Sequence, residues 1–140
     1  MTEKRYYIDT SVYLGILLGE KAAKGLVSVL TRKILCSSTL LLIEAERNLV
    51  HLSRQNILPA VDYQRALEQL KKDIEKFLLR DLSLDLCLTG FFPPVQTPRS
   101  NDLVHLRTAR WFLENGGLEA FVTLDRAQGE TAKDFGLRVL

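Results

Sequence analysis

Tyr6-Tyr7-Ile8-Asp9-Thr10-Ser11 is a short apolar run that ends on a carboxylate and passes at once into two hydroxyl residues. An apolar run of this length reads as a buried strand. Closing such a strand on a charge is costly unless something pairs with it. Asp9 therefore asks for a partner, either the free N–H groups of a following helix or a cation.

Working outward, Val12 to Leu18 continues as a helix with Ser11 or Thr10 at its cap, and Gly19 breaks it before a second helix over Glu20 to Thr31. Ile34 to Ser37 suits a buried parallel strand, followed by a helix from Thr39 to Ser53. The first half of that helix, Leu40-Leu41-Leu42-Ile43, is apolar all round and predicts deep burial, with Glu44 directly after it. Pro59 opens a long amphipathic helix over Ala60 to Arg80, striped by Leu67, Leu70, Ile74, Phe77 and Leu78. Leu82 to Cys87 alternates enough to predict a strand. Leu88 to Ser100 carries Gly90, Pro93, Pro94 and Pro98 and predicts a loop. A helix follows from about Ser100 to Asn115, stopped by Gly116-Gly117. Glu119 to Leu124 is a further strand ending on a carboxylate, Asp125. A short helix over Arg126 to Asp134 and a strand over Leu137 to Leu140 close the chain.

Strands alternating with helices imply an α/β fold, a mostly parallel central sheet covered by helices on both faces. Ligands of such folds gather at the carboxyl ends of the strands, where Asp9 and Asp125 both stand. The 140 residues, 46% hydrophobic and 26% charged, match one ordinary globular domain spanning 1–140. A net charge of +2 does not by itself announce nucleic-acid binding. Cys36 and Cys87 end apolar runs and read as buried small hydrophobes in a reducing compartment. No apolar run is long enough to span a membrane, so a cytoplasmic protein is expected.

Four carboxylates stand out by position. Asp9 and Asp125 end strands, Glu44 follows a wholly apolar segment, and Asp102 opens a helix. Converging, they would repel one another unless a cation offset the charge. Oxygen donors of this kind suit Mg²⁺ or Mn²⁺, which can activate water and stabilise charge on a phosphate. Each acid also has a plain alternative: helix caps for Asp9 and Asp125, a dipole partner for Asp102, and an ion pair with Arg47 for Glu44. His105, three residues after Asp102, reads as a structural histidine in preference to a phosphate contact. Arg47, Arg107 and Arg110 are candidate phosphate ligands or surface charges. Phe91 and Phe92 are candidates to stack on bases, although loop aromatics more often fold back onto the core or a subunit partner.

In their order, Tyr7-Ile8-Asp9-Thr10-Ser11-Val12, Ser38 to Glu44, Asn101 to Ala109 and Val122-Thr123-Leu124-Asp125 resemble the successive acidic motifs of PIN-domain ribonucleases. The nearest flavour is that of VapC-type toxins of toxin–antitoxin pairs. The resemblance implies a three-layer α/β/α PIN-like fold whose acids, here Asp9, Glu44, Asp102 and Asp125, bind Mg²⁺ or Mn²⁺. The fourth acid holds either the metal or a water. Ser11 and Thr123 would orient ligands or water. The implied reaction is hydrolysis of RNA, a tRNA or ribosomal RNA loop, leaving a 5′-phosphate and a 3′-hydroxyl. A small antitoxin and a second copy of the chain are the implied partners.

Other classes that collect acids at strand ends fit less well. A receiver domain would place adjacent acids after the first strand, and a dehalogenase-type phosphatase would place an aspartate where Ser11 stands. A solitary PIN ribonuclease in RNA processing and a PIN-like binding module without turnover are the remaining alternatives.

Overall fold

The computed structural model describes residues 3–89, 94–95 and 99–140. Gly90, Phe91, Phe92, Pro93 and Pro98 of the proline-rich loop lie outside the described residues. Four strands form the sheet: β1 (Arg5–Ile8), β2 (Ile34–Ser38), β3 (Leu78–Arg80) and β4 (Ala120–Val122). Their order is β3-β2-β1-β4 and every pairing is parallel. β1 is therefore central, with Tyr7 aligned to Cys36 on one side and Phe121 on the other.

Alternation along β1 sends its side chains to both faces. Tyr6 and Ile8 meet Val12, Tyr13, Leu41 and Leu70, which come from α1 (Thr10–Leu17), α3 (Leu40–Arg54) and α4 (Ala60–Ile74). Tyr7 faces the other way, into Leu106, Ala109 and Phe112 of α6 (Ser100–Glu114) and Ala132 of α7 (Arg126–Asp134). The result is the expected three layers. A single turn of 3₁₀ helix (Lys21–Ala23) and α2 (Lys24–Leu30) occupy the span predicted as one helix. Gly15 permits the close approach of that turn, since a Cβ there would sit 2.9 Å from the Ala23 Cβ and from Leu124.

Several boundaries differ from the sequence reading. The predicted helix over Ala60 to Arg80 stops at Ile74, because Leu78 to Arg80 pairs with Cys36 to Ser38 as β3. Pairing with a sheet edge outweighs a helical stripe that runs on without a Gly or Pro break. The predicted strand over Leu82 to Cys87 is instead a short helix, α5 (Leu84–Leu88), and Cys87 on it is exposed, not buried. The final strand contracts to one bridge between Val139 and Phe121. Deep burial of Leu40 to Ile43 is also not found: Leu41 is fully buried, but Ile43 is 64% exposed. A helix lying on a sheet buries one side only.

The candidate functional site

α1 and α7 both begin directly after strands at the carboxyl edge of the sheet, and an aspartate caps each. Asp9 Oδ1 accepts from the Val12 N–H at 3.2 Å. Asp125 Oδ1 accepts from the Ala127 and Gln128 N–H groups at 2.9 and 3.2 Å. The N-cap of α1 is thus Asp9, one residue before the predicted hydroxyls. Those hydroxyls turn to the acids. Ser11 Oγ donates to Asp9 Oδ1 at 2.6 Å, and Thr123 Oγ1 donates to Asp9 Oδ2. The Leu124 N–H in turn donates to Ser11 Oγ at 3.0 Å, so the β4 exit, Ser11 and Asp9 form one polar cluster.

Asp9 is 6% exposed, and no lysine or arginine pairs with it among the described residues. Burial pushes its carboxyl above the ordinary range, only partly opposed by the hydrogen bonds from Ser11, Thr123 and Val12 and by His105.

Glu44, one turn into α3, has an unlike environment. Its Oε1 accepts from Thr10 Oγ1 at 2.7 Å and meets His105 Nε2 at 2.7 Å. Its Oε2 accepts from Asn101 Nδ2 at 3.2 Å. Partial burial acts to raise its pKa, but the bonds from His105, Thr10 and Asn101 outweigh burial and hold it below the ordinary range. The partner of Glu44 is therefore His105, while Arg47 is exposed on α3. His105 itself is 3% exposed, and its Nδ1 lies 2.7 Å from the Tyr7 hydroxyl.

The structure thus brings Asp9, Thr10, Ser11, Glu44, Asn101, His105 and Thr123 into two linked clusters. They join through the Asp9-Thr10 peptide, since Thr10 bonds to Glu44. Asp102 is half-buried in the first turn of α6, and Gln128 Nε2 donates to its carbonyl at 3.1 Å. Asp125 is exposed and engaged in its cap. Arg107 donates to the Leu86 and Thr89 carbonyls, and Arg110 to Glu114 and the Phe135 carbonyl, so both are tied into the surface of the fold.

Tyr7, Thr10 and Asn101 were not singled out from the sequence as partners of the acids. One signal was available for Tyr7: a tyrosine in the centre of a buried strand needs a partner for its hydroxyl. The other two depend on which helices meet, which spacing does not reveal.

The donors at this edge are carboxylates and hydroxyls, the kind that suits a hard divalent cation. Asp9 fits best, because a cation would offset the burial of a charge that no lysine or arginine pairs with among the described residues. Asp125 is exposed, with Oδ1 taking two N–H groups, so burial makes no comparable demand for a cation there. Among the described residues, no three acidic, histidine or cysteine side chains are gathered closely enough to form a ready ligand set.

No family model and no curated protein matches this chain. Solved structures are similar to it, among them these two. One is PAE2754 from Pyrobaculum aerophilum, 20% identical with a TM-score of 0.55, covering 91% of this chain and 84% of that one. The other is VapBC2 from Rickettsia felis bound to a DNA fragment from their promoter, 13% identical with a TM-score of 0.54, covering 97% and 96%. At these identities the likeness is one of fold. The chain has a PIN-like α/β/α fold on a four-stranded parallel sheet, with its buried acid at the carboxyl edge of the central strand.

Proposed function

We propose that this protein is a divalent-metal-dependent endoribonuclease, the toxin of a toxin–antitoxin pair. The observation that carries the reading is Asp9: a buried carboxylate, raised by burial, at the carboxyl end of the central strand. A charge kept there against stability is the mark of a functional site. Asp9, Glu44 and Asp102 would hold Mg²⁺ or Mn²⁺, with Asp125 at the rim. A bound ion of this kind supplies activation of water and stabilisation of charge on a phosphate.

The chain's own groups account for the rest. Ser11 and Thr123 fix both oxygens of Asp9, and Thr10 and Asn101 fix those of Glu44. Of the three candidate arginines, Arg47 stands exposed on α3 and would meet an RNA phosphate. Arg107, Arg110 and His105 serve the fold first, since each already has protein partners. Water would attack phosphorus in line, leaving a 5′-phosphate and a 3′-hydroxyl on a tRNA or ribosomal RNA loop. The fold shared with VapBC2 supports a small antitoxin as partner; a second copy of this chain would complete the assembly.

One observation favours a second reading, a PIN-like binding module without turnover: the acids are not gathered into a ready ligand set among the described residues. Incubating RNA with wild type and Asp9→Asn, with and without Mn²⁺, separates the two. Cleavage by wild type that needs Mn²⁺ and falls by more than about a hundredfold in Asp9→Asn is expected. Equal cleavage by both proteins removes Asp9 from the reaction, and no cleavage by either favours the binding module.

A further inference from the structure

His105 belongs to none of the four acids, yet it is the most buried group of their network after Tyr7. Its ring stands edge-on to Tyr7, with centroids 5.8 Å apart at 74°, and makes polar contacts at both nitrogens. A glutamate carboxylate only accepts hydrogen bonds, so Nε2, 2.7 Å from Glu44 Oε1, carries the proton. Nδ1 meets the Tyr7 hydroxyl at 2.7 Å, so the ring is held at both nitrogens. A chain of polar contacts results, from the core strand through the imidazole to the carboxylate.

We propose that His105 is a positioning residue for the acidic site: fixed by Tyr7, it immobilises Oε1 of Glu44 and leaves Oε2 to face a cation. The two oxygens differ in the way this requires. Oε1 takes both Thr10 and His105, while Oε2, among the described residues, accepts only from the exposed Asn101. The role rests on the divalent-metal reading and adds to it which oxygen is offered and what holds the other still. Groups that orient a metal ligand from behind contribute about 10- to 100-fold in metal affinity.

The test has two readouts on the full-length chain. In calorimetric titration with MnCl₂, Asp9→Asn and His105→Phe both bind more weakly than wild type, the latter by about 10- to 100-fold. His105→Gln, whose amide places an N–H near the Nε2 position, recovers most of the affinity. Tyr7→Phe removes only the hydroxyl, loses part of the affinity, and keeps the test open where His105→Phe does not fold. In the metal-free protein, imidazole ¹⁵N spectra show the Nε2–H tautomer in wild type and a mixture in Tyr7→Phe.

Wild type that binds Mn²⁺ no better than Asp9→Asn overturns the metal reading, and the positioning role with it. Tight binding by wild type, weak binding by Asp9→Asn and unchanged binding by both His105→Phe and Tyr7→Phe overturns the positioning role alone. An Nδ1–H tautomer in the wild-type spectrum does the same.

Discussion

At the scale of single residues, the two best-connected acids answer to pH with opposite signs. Burial raises Asp9, so the fold favours its protonated form. Its charge weakens the protein increasingly as pH climbs from the ordinary carboxylate range through the raised folded value. Glu44 is held low by His105, Thr10 and Asn101, so its contribution is present above the ordinary range and is lost as pH falls through the depressed folded value. Metal-free Asp9→Asn is therefore expected to melt above wild type at pH 7, by about 3 °C if the change is of the order of 1 kcal/mol. Glu44→Gln is expected to melt below it. Both differences shrink as pH drops below the ordinary carboxylate range, and thermal melts between pH 3 and pH 8 check the pattern. Excess Mn²⁺ should stabilise wild type but not Asp9→Asn, turning the pH 7 ranking of those two around. A variant that is both inactive and more stable is what a charge kept for function predicts.

At the scale of elements, the two strand-to-helix turns share one device and use it differently. Asp9 caps α1 from a buried position and receives two hydroxyls besides, whereas Asp125 caps α7 at the surface. Asp125→Ala is expected to cost about 1 kcal/mol in urea unfolding, and Asp125→Asn only a few tenths, because asparagine caps as well as aspartate. An equal loss in both variants would show that the charge, not the cap, matters there. These turns were readable from the sequence because each packs its signal into a few adjacent residues: an apolar run, a carboxylate, then helix formers. The stretch from Phe77 to Cys87 was not. Leu78 continues the stripe of Leu70 and Ile74 at helical spacing, and what ends α4 is the pairing of Leu78 with Cys36, forty-two positions away. Ser83 at the cap of α5 was the only local hint that the alternation after it was not a strand. The Glu44–His105 pair was equally hidden, being a meeting of α3 with α6 that neither helix announces.

For the whole molecule, the same central strand supports both core and site. Tyr7 lies on Phe121 with ring centroids 5.4 Å apart and planes at 9°, and both rings are fully buried. From that stack the Tyr7 hydroxyl reaches His105, and His105 reaches Glu44. Interiors are packed closely enough that a void at Phe121 would be felt by its neighbours. Phe121→Ala removes the ring outright and is expected to cost about 3–5 kcal/mol, enough to threaten folding at 37 °C. Phe121→Leu keeps much of the volume, costs about 1–2 kcal/mol, and frees Tyr7 from its stacking partner. A variant at Leu70, on the opposite face of the sheet, serves as the control. Leu70→Val should lower the melting temperature by a similar amount without touching the Tyr7 stack. If the core sets the site, Phe121→Leu weakens Mn²⁺ binding and Leu70→Val does not, although both are folded and similarly destabilised. Equal Mn²⁺ affinities in the two variants would mean that Tyr7 holds its hydroxyl in place without Phe121, and that the site is insulated from the packing beneath it.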